Sequence, residues 1–491
     1  MNGSRWLGSS VFSARLTISF SSRYQNVRQD ACRGDDAGES SGNSSDAGYD
    51  ASTVFYGSSL SGSATSPASW EPRMVCVDAK GSVRRELRDV GPSATVLDVS
   101  HDENGALGVE LWDGGVQDVT GRAETRRVSL GSSAVVRKEY WGDFMNVRSE
   151  KSRIHVVSAV QRWGREERAW SVHGERCPLH GDELESIEES VRVLAEKADT
   201  LAGFIVMADD RSVWGNVASS VLEEMRDDYR GKATFLFATR CKSEESDEDV
   251  EREKAVTARS FMEGLAVSSL APLVDLYVPI YGRGRTVDEL FQWTMVNAIG
   301  IFGATLPLMW RGNSTSMDMA HIASCLGAGH HRCPLATLDV FSPALASPLA
   351  LSGHARAGDA GRITECVSIL CQNEDDAQTI GSNGHSLWFD MEAVSLSRPS
   401  TRVVSRIGAG VPIVRGVGEV PAFQTPFGTS SISCATVLGS TTAFAPELRS
   451  LAGKFCPSQV RGHAALLESW GVQGLYEEVH EDLLSMADCF D

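Results

Sequence analysis

The sequence predicts an α/β protein: a doubly wound parallel sheet followed by a smaller C-terminal α+β domain. Three observations point there. From residue 154 to residue 306, short apolar strands alternate with amphipathic helices. That β-α-β-α-β rhythm, closed by short right-handed crossovers, builds a parallel sheet covered on both faces. The strands are continuous apolar runs, such as Leu201–Met207, as burial on both faces requires. Gly is frequent at 46 residues and aromatics make up only 7%, which suits Gly-turned α/β structure better than a helical repeat. No internal repeat of about 20–50 residues is present.

The elements follow in order. Residues 1–69 open with a Ser- and Arg-rich stretch and continue into a Ser/Gly/Asp-rich one with little apolar periodicity, so a mostly disordered, low-complexity segment is expected. Order begins at Trp70. Arg73–Asp78 is a strand, turned by Lys80-Gly81-Ser82, with short strand candidates at Ala94–Val99 and Leu107–Trp112. Ile154–Val160 is a buried strand. Asp182–Asp199 is a helix with Leu184, Ile187, Val191 and Leu194 on one face and acids on the other. Strand Leu201–Met207, a helix over 213–229, strand Ala233–Thr239, a helix over 255–270 and strand Val274–Ile280 continue the series. A long helix over 286–306 closes it. Lys242–Lys254, with seven acids against three bases, is a solvated loop or helix entry. Beyond residue 330 the strand candidates are Ile363–Cys371, Arg402–Ile407 and Ile432–Leu438, and the chain ends in an acidic helical tail. The expected division is 1–69, 70–125, 135–330 and 331–491.

Composition excludes several classes. There are 46 Lys+Arg against 65 Asp+Glu, a formal charge of −19. That counts against nucleic-acid binding, which needs clustered cations against phosphate, and against a polybasic membrane-surface protein. The negative charge is concentrated at Asp30–Asp50, on the Asp182–Asp199 helix, in Lys242–Lys254 and after Arg461. Residues 1–29 hold four Arg and no acid, the composition of a mitochondrial presequence, although a disordered or misassigned start is the simpler reading. Leu290–Trp310 carries no charge, but it includes Gln292, Asn297 and Pro307 inside a βα pattern. A buried central helix is expected there, not a transmembrane span. The 11 Cys are scattered, and neither Cys177/His180 nor Cys325–Cys333 with His330 and His331 has the second ligand pair of a zinc site. Reduced thiols and no metal are expected.

Ligands of a doubly wound sheet bind at the carboxyl ends of its strands. The first place to look is therefore 208–215, Ala-Asp-Asp-Arg-Ser-Val-Trp-Gly. A phosphate cradle needs several closely approaching backbone amides, hence several Gly. This turn has one Gly, two acids and Trp214, and the simpler reading is Asp or Ser capping the next helix. Gly282-Arg283-Gly284-Arg285 is an anion-site candidate that lacks dinucleotide spacing. Gly408-Ala-Gly410 is a strand-end turn. Gly38-Glu39-Ser40-Ser41-Gly42 matches a nucleophile elbow only in text, outside any strand–helix context. From the residues alone, no catalytic centre is legible.

Five segments carry a family likeness. Trp70 to Ser82 (WEPRMVCVDAKGS) resembles the TPRLI-DLKGS segment of Misato proteins, a tubulin-related family. Tyr140 to Arg148 (YWGDFMNVR), running into Ile154–Val157, is similar to that family's VWSDFL signature. Leu201–Met207 with the helix ending Arg226-Asp-Asp-Tyr229, then Asp275–Pro279, then Leu483–Cys489, match in the same order. The resemblance implies a tubulin/FtsZ-like fold and a role in mitochondrial distribution, morphology and inheritance, in some members linked to tubulin handling. Partners implied are proteins, among them tubulin, chaperonin and mitochondrial surface proteins, with the protein in the cytoplasm and at mitochondria, chiefly their outer surface. The turn 208–215 then corresponds to tubulin's phosphate loop, GGGTGSG, of which only Ser212 and Gly215 remain. The loop that activates a neighbour's GTP corresponds to Arg311–Asp318, where only Asn313 and Asp318 are suggestive. These departures imply no GTPase activity and disfavour bound GTP. The family's opening strand and Gly/Asn loop have no recognisable counterpart.

Overall fold

The computed structural model describes residues 16–22, 48–49, 55–58, 69–80, 153–161, 179–198, 200–241, 249–282, 287–311, 318–326, 333–341, 349–352, 362–371, 402–407, 415–417, 434–463, 467 and 474–490. The strand candidates at 94–99 and 107–112, the 140–148 signature and the Gly motifs at 38–42 and 408–410 lie outside these residues.

The chain begins with β1 (Leu16–Ser22), β2 (Gly48–Tyr49), β3 (Phe55–Ser58), β4 (Ser69–Pro72), β5 (Met74–Lys80) and β6 (Ile154–Gln161). Then come α1 (Gly181–Glu196), β7 (Leu201–Asp209), α2 (Val213–Asp228), β8 (Ala233–Cys241), α3 (Asp249–Leu270), β9 (Leu276–Gly282) and α4 (Val287–Met309). β10 (Trp310–Arg311), which pairs with β2, and α5 (Met319–Leu326) lead into a second set of strands. These are β11 (Thr337–Phe341), β12 (Leu349–Ala350), β13 (Arg362–Cys371), β14 (Arg402–Ile407), β15 (Arg415–Val417) and β16 (Cys434–Thr441). After them come α6 (Phe444–Lys454), α7 (Pro457–Gly462) and α8 (Tyr476–Asp488).

The first sheet has the order β6-β5-β1-β7-β8-β9. β5 and β6 are parallel, and so are β7, β8 and β9. The strand in the middle is the exception. β1 runs antiparallel to both neighbours, setting Ile18 opposite Val75 and Val206, and Leu16 opposite Val77 and Ala208. The handedness rule binds strands joined by a crossover within one sheet. β1 is the first of the described strands, and residues 23–73 separate it from β5, so the crossover rule does not set its direction. This qualifies one expectation, whose α/β fold class stands, and corrects another. The sheet is parallel only on either side of its centre, and the span 1–69, expected to be low-complexity and disordered, contributes β1, β2 and β3. The Leu-Thr-Ile-Ser-Phe-Ser alternation of β1 was hidden among Ser and Arg, and long-range pairing on both edges selects it.

One face of this sheet packs under α1, α2 and α3. α1 turns Ile187, Val191 and Leu194 inward, each at most 1% exposed, and its acids outward. Its backbone starts with His180 N–H donating to Glu183 at 3.0 Å. α3 begins at Asp249, so the acidic stretch 242–254 enters the helix earlier than expected. The helices after β16 return to this same face. α6 and α8 pack on each other and on α3. Phe261 meets Phe455 edge-on at 5.2 Å, and Ser268 Oγ donates to Asp482 at 2.7 Å. Phe444, Leu448, Phe455 and Leu483 thus share a core with Val206 and Leu236. The acidic tail is one side of α8, with Glu477, Glu478 and Glu481 exposed and Val479, Leu483 and Met486 buried.

The other face of the first sheet packs against α4 and α5. α4 contacts β9 on one side and β11, β13 and β16 on the other, so the helix, charge-free from Leu290 onward, is a joint between the two sheets. A Cβ on Gly303 would fall 2.0 Å from Thr436 Oγ1, so β16 approaches the helix at glycine distance. The second sheet, β12-β11-β16-β13-β14-β15, is antiparallel throughout. No helix among the described residues is long and apolar enough to cross a membrane.

Two thiols differ sharply. Burial pushes Cys333 up to about 12, whereas hydrogen bonds from Ser458 and the Gln459 amide draw half-exposed Cys456 down. Iodoacetamide at neutral pH is expected to label Cys456 well before Cys333, as peptide mass spectrometry would show. Equal rates would contradict the burial of Cys333.

Candidate functional site

The carboxyl ends of β7, β8 and β9 lie side by side. The chain leaves β7 at Asp209, turns through 210–212 and enters α2. Ser212 is the N-cap: it is extended (φ −138°, ψ 177°) and its Oγ accepts from Trp214 N–H at 3.3 Å. Gly215 sits in the first turn of α2, its N–H donating to Ser212 O at 2.8 Å. A Cβ there would lie 2.8 Å from the Asp210 carbonyl oxygen. The two residues that echo a phosphate loop therefore serve the turn's own backbone, one capping the helix and the other letting the turn fold against it. Gly215→Ala is expected to cost about 1–3 kcal/mol, read as a lower urea midpoint; an unchanged midpoint would mean that the contact relaxes freely.

Behind the turn lies a buried network of six side chains. Asp210, fully buried, receives Arg240 through Nε (2.9 Å) and Nη2 (2.7 Å), a two-pronged pair. Tyr277 OH accepts from Arg240 Nη2 at 2.7 Å and donates to Asp210. The other prong, Nη1, reaches Glu263 of α3 and Tyr281 OH, the latter at 2.8 Å. Glu263 also receives Arg211 Nη2 and Tyr281 OH, each at 2.5 Å. Arg211 lies over the Tyr281 ring at 5.0 Å. Two guanidiniums face two carboxylates, so the formal charges cancel.

Neutrality makes the burial tolerable, because an unpaired charge in this setting would be expelled or neutralised. Burial pulls the Arg240 guanidinium down, but Asp210 together with Tyr277, Tyr281 and Glu263 outweighs it, and Arg240 is held firmly protonated. Burial raises both phenols, so Tyr277 and Tyr281 stay neutral donors. Burial also pushes Glu263 up, but Arg240 and then Arg211 prevail and hold it below the usual carboxylate range. A carboxyl depressed in the folded state adds stability above its unfolded pKa, near 4.3, and loses it as pH falls through the folded value. Wild-type stability is therefore expected to fall below about pH 4, and a Glu263→Gln variant to show a shallower acid limb in urea midpoints against pH. Parallel acid limbs would contradict the depressed Glu263.

Two of these six belong to the turn that the sequence singles out, and four do not. Asp210 and Arg211 lie in the turn 208–215; Arg240, Glu263, Tyr277 and Tyr281 come from β8, α3 and β9. Each leaves a faint signal: a lone Arg ending an apolar strand, a lone acid in the apolar run Phe261–Ala266, and two Tyr four apart on one strand face. Gly282 ends β9, and Arg283–Arg285 lie outside the described residues, as does Asn313. Asp318 is placed: its Oδ1 accepts from His321 N–H at 2.7 Å, capping α5.

A tubulin domain model matches residues 129–309, the span that contains β6 to β9 and this network. Protein dml-1 of Neurospora crassa is 29% identical over 204 residues, 38% of this chain and 36% of that protein. Protein dml1 of Aspergillus clavatus is 30% identical over 156 residues, 30% of this chain and 29% of that protein. Protein misato homolog 1 of Danio rerio is 27% identical over 97 residues, 20% of this chain and 16% of that protein. The chain is thus similar to tubulin-related proteins of the dml1 and misato group. The matched part spans about a third or less of each of these relatives. Within a tubulin-like sheet, this chain carries a salt-bridged network at the strand ends, and the turn above it has a single glycine.

Proposed function

We propose that the protein is a non-catalytic, tubulin-like factor that acts in mitochondrion organisation, meaning distribution, morphology and inheritance, through protein partners. The observation that carries this reading is the turn after β7. A tubulin-like site needs open amides and uncommitted cations there for nucleotide phosphates. In this chain Ser212 and Gly215 serve the turn itself, and the carboxylates of Asp210 and Glu263 take up Arg211 and Arg240. These residues do not fit a nucleotide's phosphates, so neither GTP nor a metal is assigned to the site. The family resemblance supplies the mitochondrial setting, with the protein in the cytoplasm and on the outer mitochondrial surface. Tubulin, chaperonin or mitochondrial surface proteins are the partner classes, and the net charge of −19 disfavours nucleic acid.

Loss of the protein in cells is expected to disturb mitochondrial distribution. A protease-accessible tag on mitochondria would agree with the surface placement. Normal mitochondria after its loss, or a protein confined to another compartment, would overturn the role. Two other readings remain in the test: a GTP-binding polymerising protein, favoured by the family fold, and a chaperone-linked factor in microtubule assembly. Recovery of chaperonin and tubulin without mitochondrial material would favour the latter.

A further inference from the structure

We propose that Arg211, Arg240 and Tyr281 form an oxyanion pocket that the chain fills with its own Glu263 carboxylate, and that inorganic phosphate or a phosphate monoester binds there once that carboxylate is removed. This deepens the proposed reading, since it names what keeps phosphate out of the strand ends.

The donors come from the turn, β8 and β9, whereas the acceptor comes from α3. Arg240 is fixed from behind by Asp210 and Tyr277, so its free prong keeps its place without Glu263. Arg211 is backed by the Tyr281 ring. The two oxygens of Glu263 serve three donors and leave one unmet: Arg211 Nε is buried with no acceptor. A tetrahedral oxyanion has more oxygens than a carboxylate and would satisfy that donor too. The pocket also has a near and a far end. Asp210 and Arg240 are at most 2% exposed, while Arg211 and Glu263 are 13% and 10% exposed. Solvent thus approaches from the Glu263 side. Removing Glu263 leaves a net positive charge there, the condition under which a buried site takes up an anion.

The test compares full-length wild type, Glu263→Ala and the double variant Glu263→Ala/Arg211→Ala. Inorganic phosphate is titrated by calorimetry and by melting temperature, with chloride at matched ionic strength as the control. The expected result is at least tenfold tighter phosphate binding in Glu263→Ala than in wild type, a melting temperature that rises with phosphate and saturates, and loss of both in the double variant. A folded Glu263→Ala that responds to phosphate as wild type does would overturn the proposal, as would an undiminished response in the double variant. If Glu263→Ala does not fold in buffer, it is refolded with and without phosphate. Recovery in phosphate alone supports the pocket, and no recovery in either, together with a wild-type phosphate response in the near-isosteric Glu263→Gln, overturns it. Nucleotide on wild-type protein would sink the proposed function and leave this variant test standing, so the two can fail separately.

Discussion

Arg240→Met is expected to destabilise the fold by about 3–5 kcal/mol, the cost of leaving a buried carboxylate without its cation. Methionine fills much of the same volume, so little of the loss is cavity. The cost lies in Asp210, which is fully buried and takes two guanidinium nitrogens from Arg240. The second half of the experiment separates pairing from packing. Asp210→Asn/Arg240→Met removes both charges and is expected to recover a good part of the loss, since replacing a whole buried pair is often close to neutral. Urea unfolding with the slope checked for each variant measures this. A loss below about 1 kcal/mol for the single variant would place the pair with exposed ion pairs and contradict the buried network.

The second large effect concerns β1. Ile18→Pro removes a backbone N–H from a strand hydrogen-bonded on both sides and is expected to cost about 3 kcal/mol or more. Expressing residues 30–491 alone is expected to be worse. It deletes β1 and opens the edges of β5 and β7 in the middle of the sheet, an invitation to aggregation. If residues 1–29 were cleaved from the cellular protein, the same strand would leave with them. Soluble 30–491 with an unchanged melting temperature and protected amides in β7 would show that β1 is dispensable.

These two experiments probe what the sequence made legible and what it did not. The series from β6 to α4 was legible because each element repeats its own period locally. Apolar runs such as Leu201–Met207 name a covered strand, and Ile187, Val191 and Leu194 name the inner face of α1. β1 was not legible, because a short alternating strand between Ser and Arg has little local signal and gains its stability from partners far along the chain. The C-terminal helices were hidden in a similar way. α8 could be seen as helix, but not that Phe455 and Leu483 would pack on α3 of the first sheet. At the site, the turn and the Ser212 cap follow from local chemistry. The Arg240–Asp210 and Arg240–Glu263 pairs join residues 30 and 23 positions apart, and no spacing rule connects them.

The central claim is that the strand ends are closed to nucleotide by the protein's own side chains. The most direct measurement is the nucleotide content of the full-length protein, purified without added nucleotide, denatured, and analysed by ion-exchange chromatography. The account predicts no GTP or GDP in stoichiometric amount, and no gain after incubation with excess GTP and magnesium followed by desalting. One guanine nucleotide per chain would contradict it.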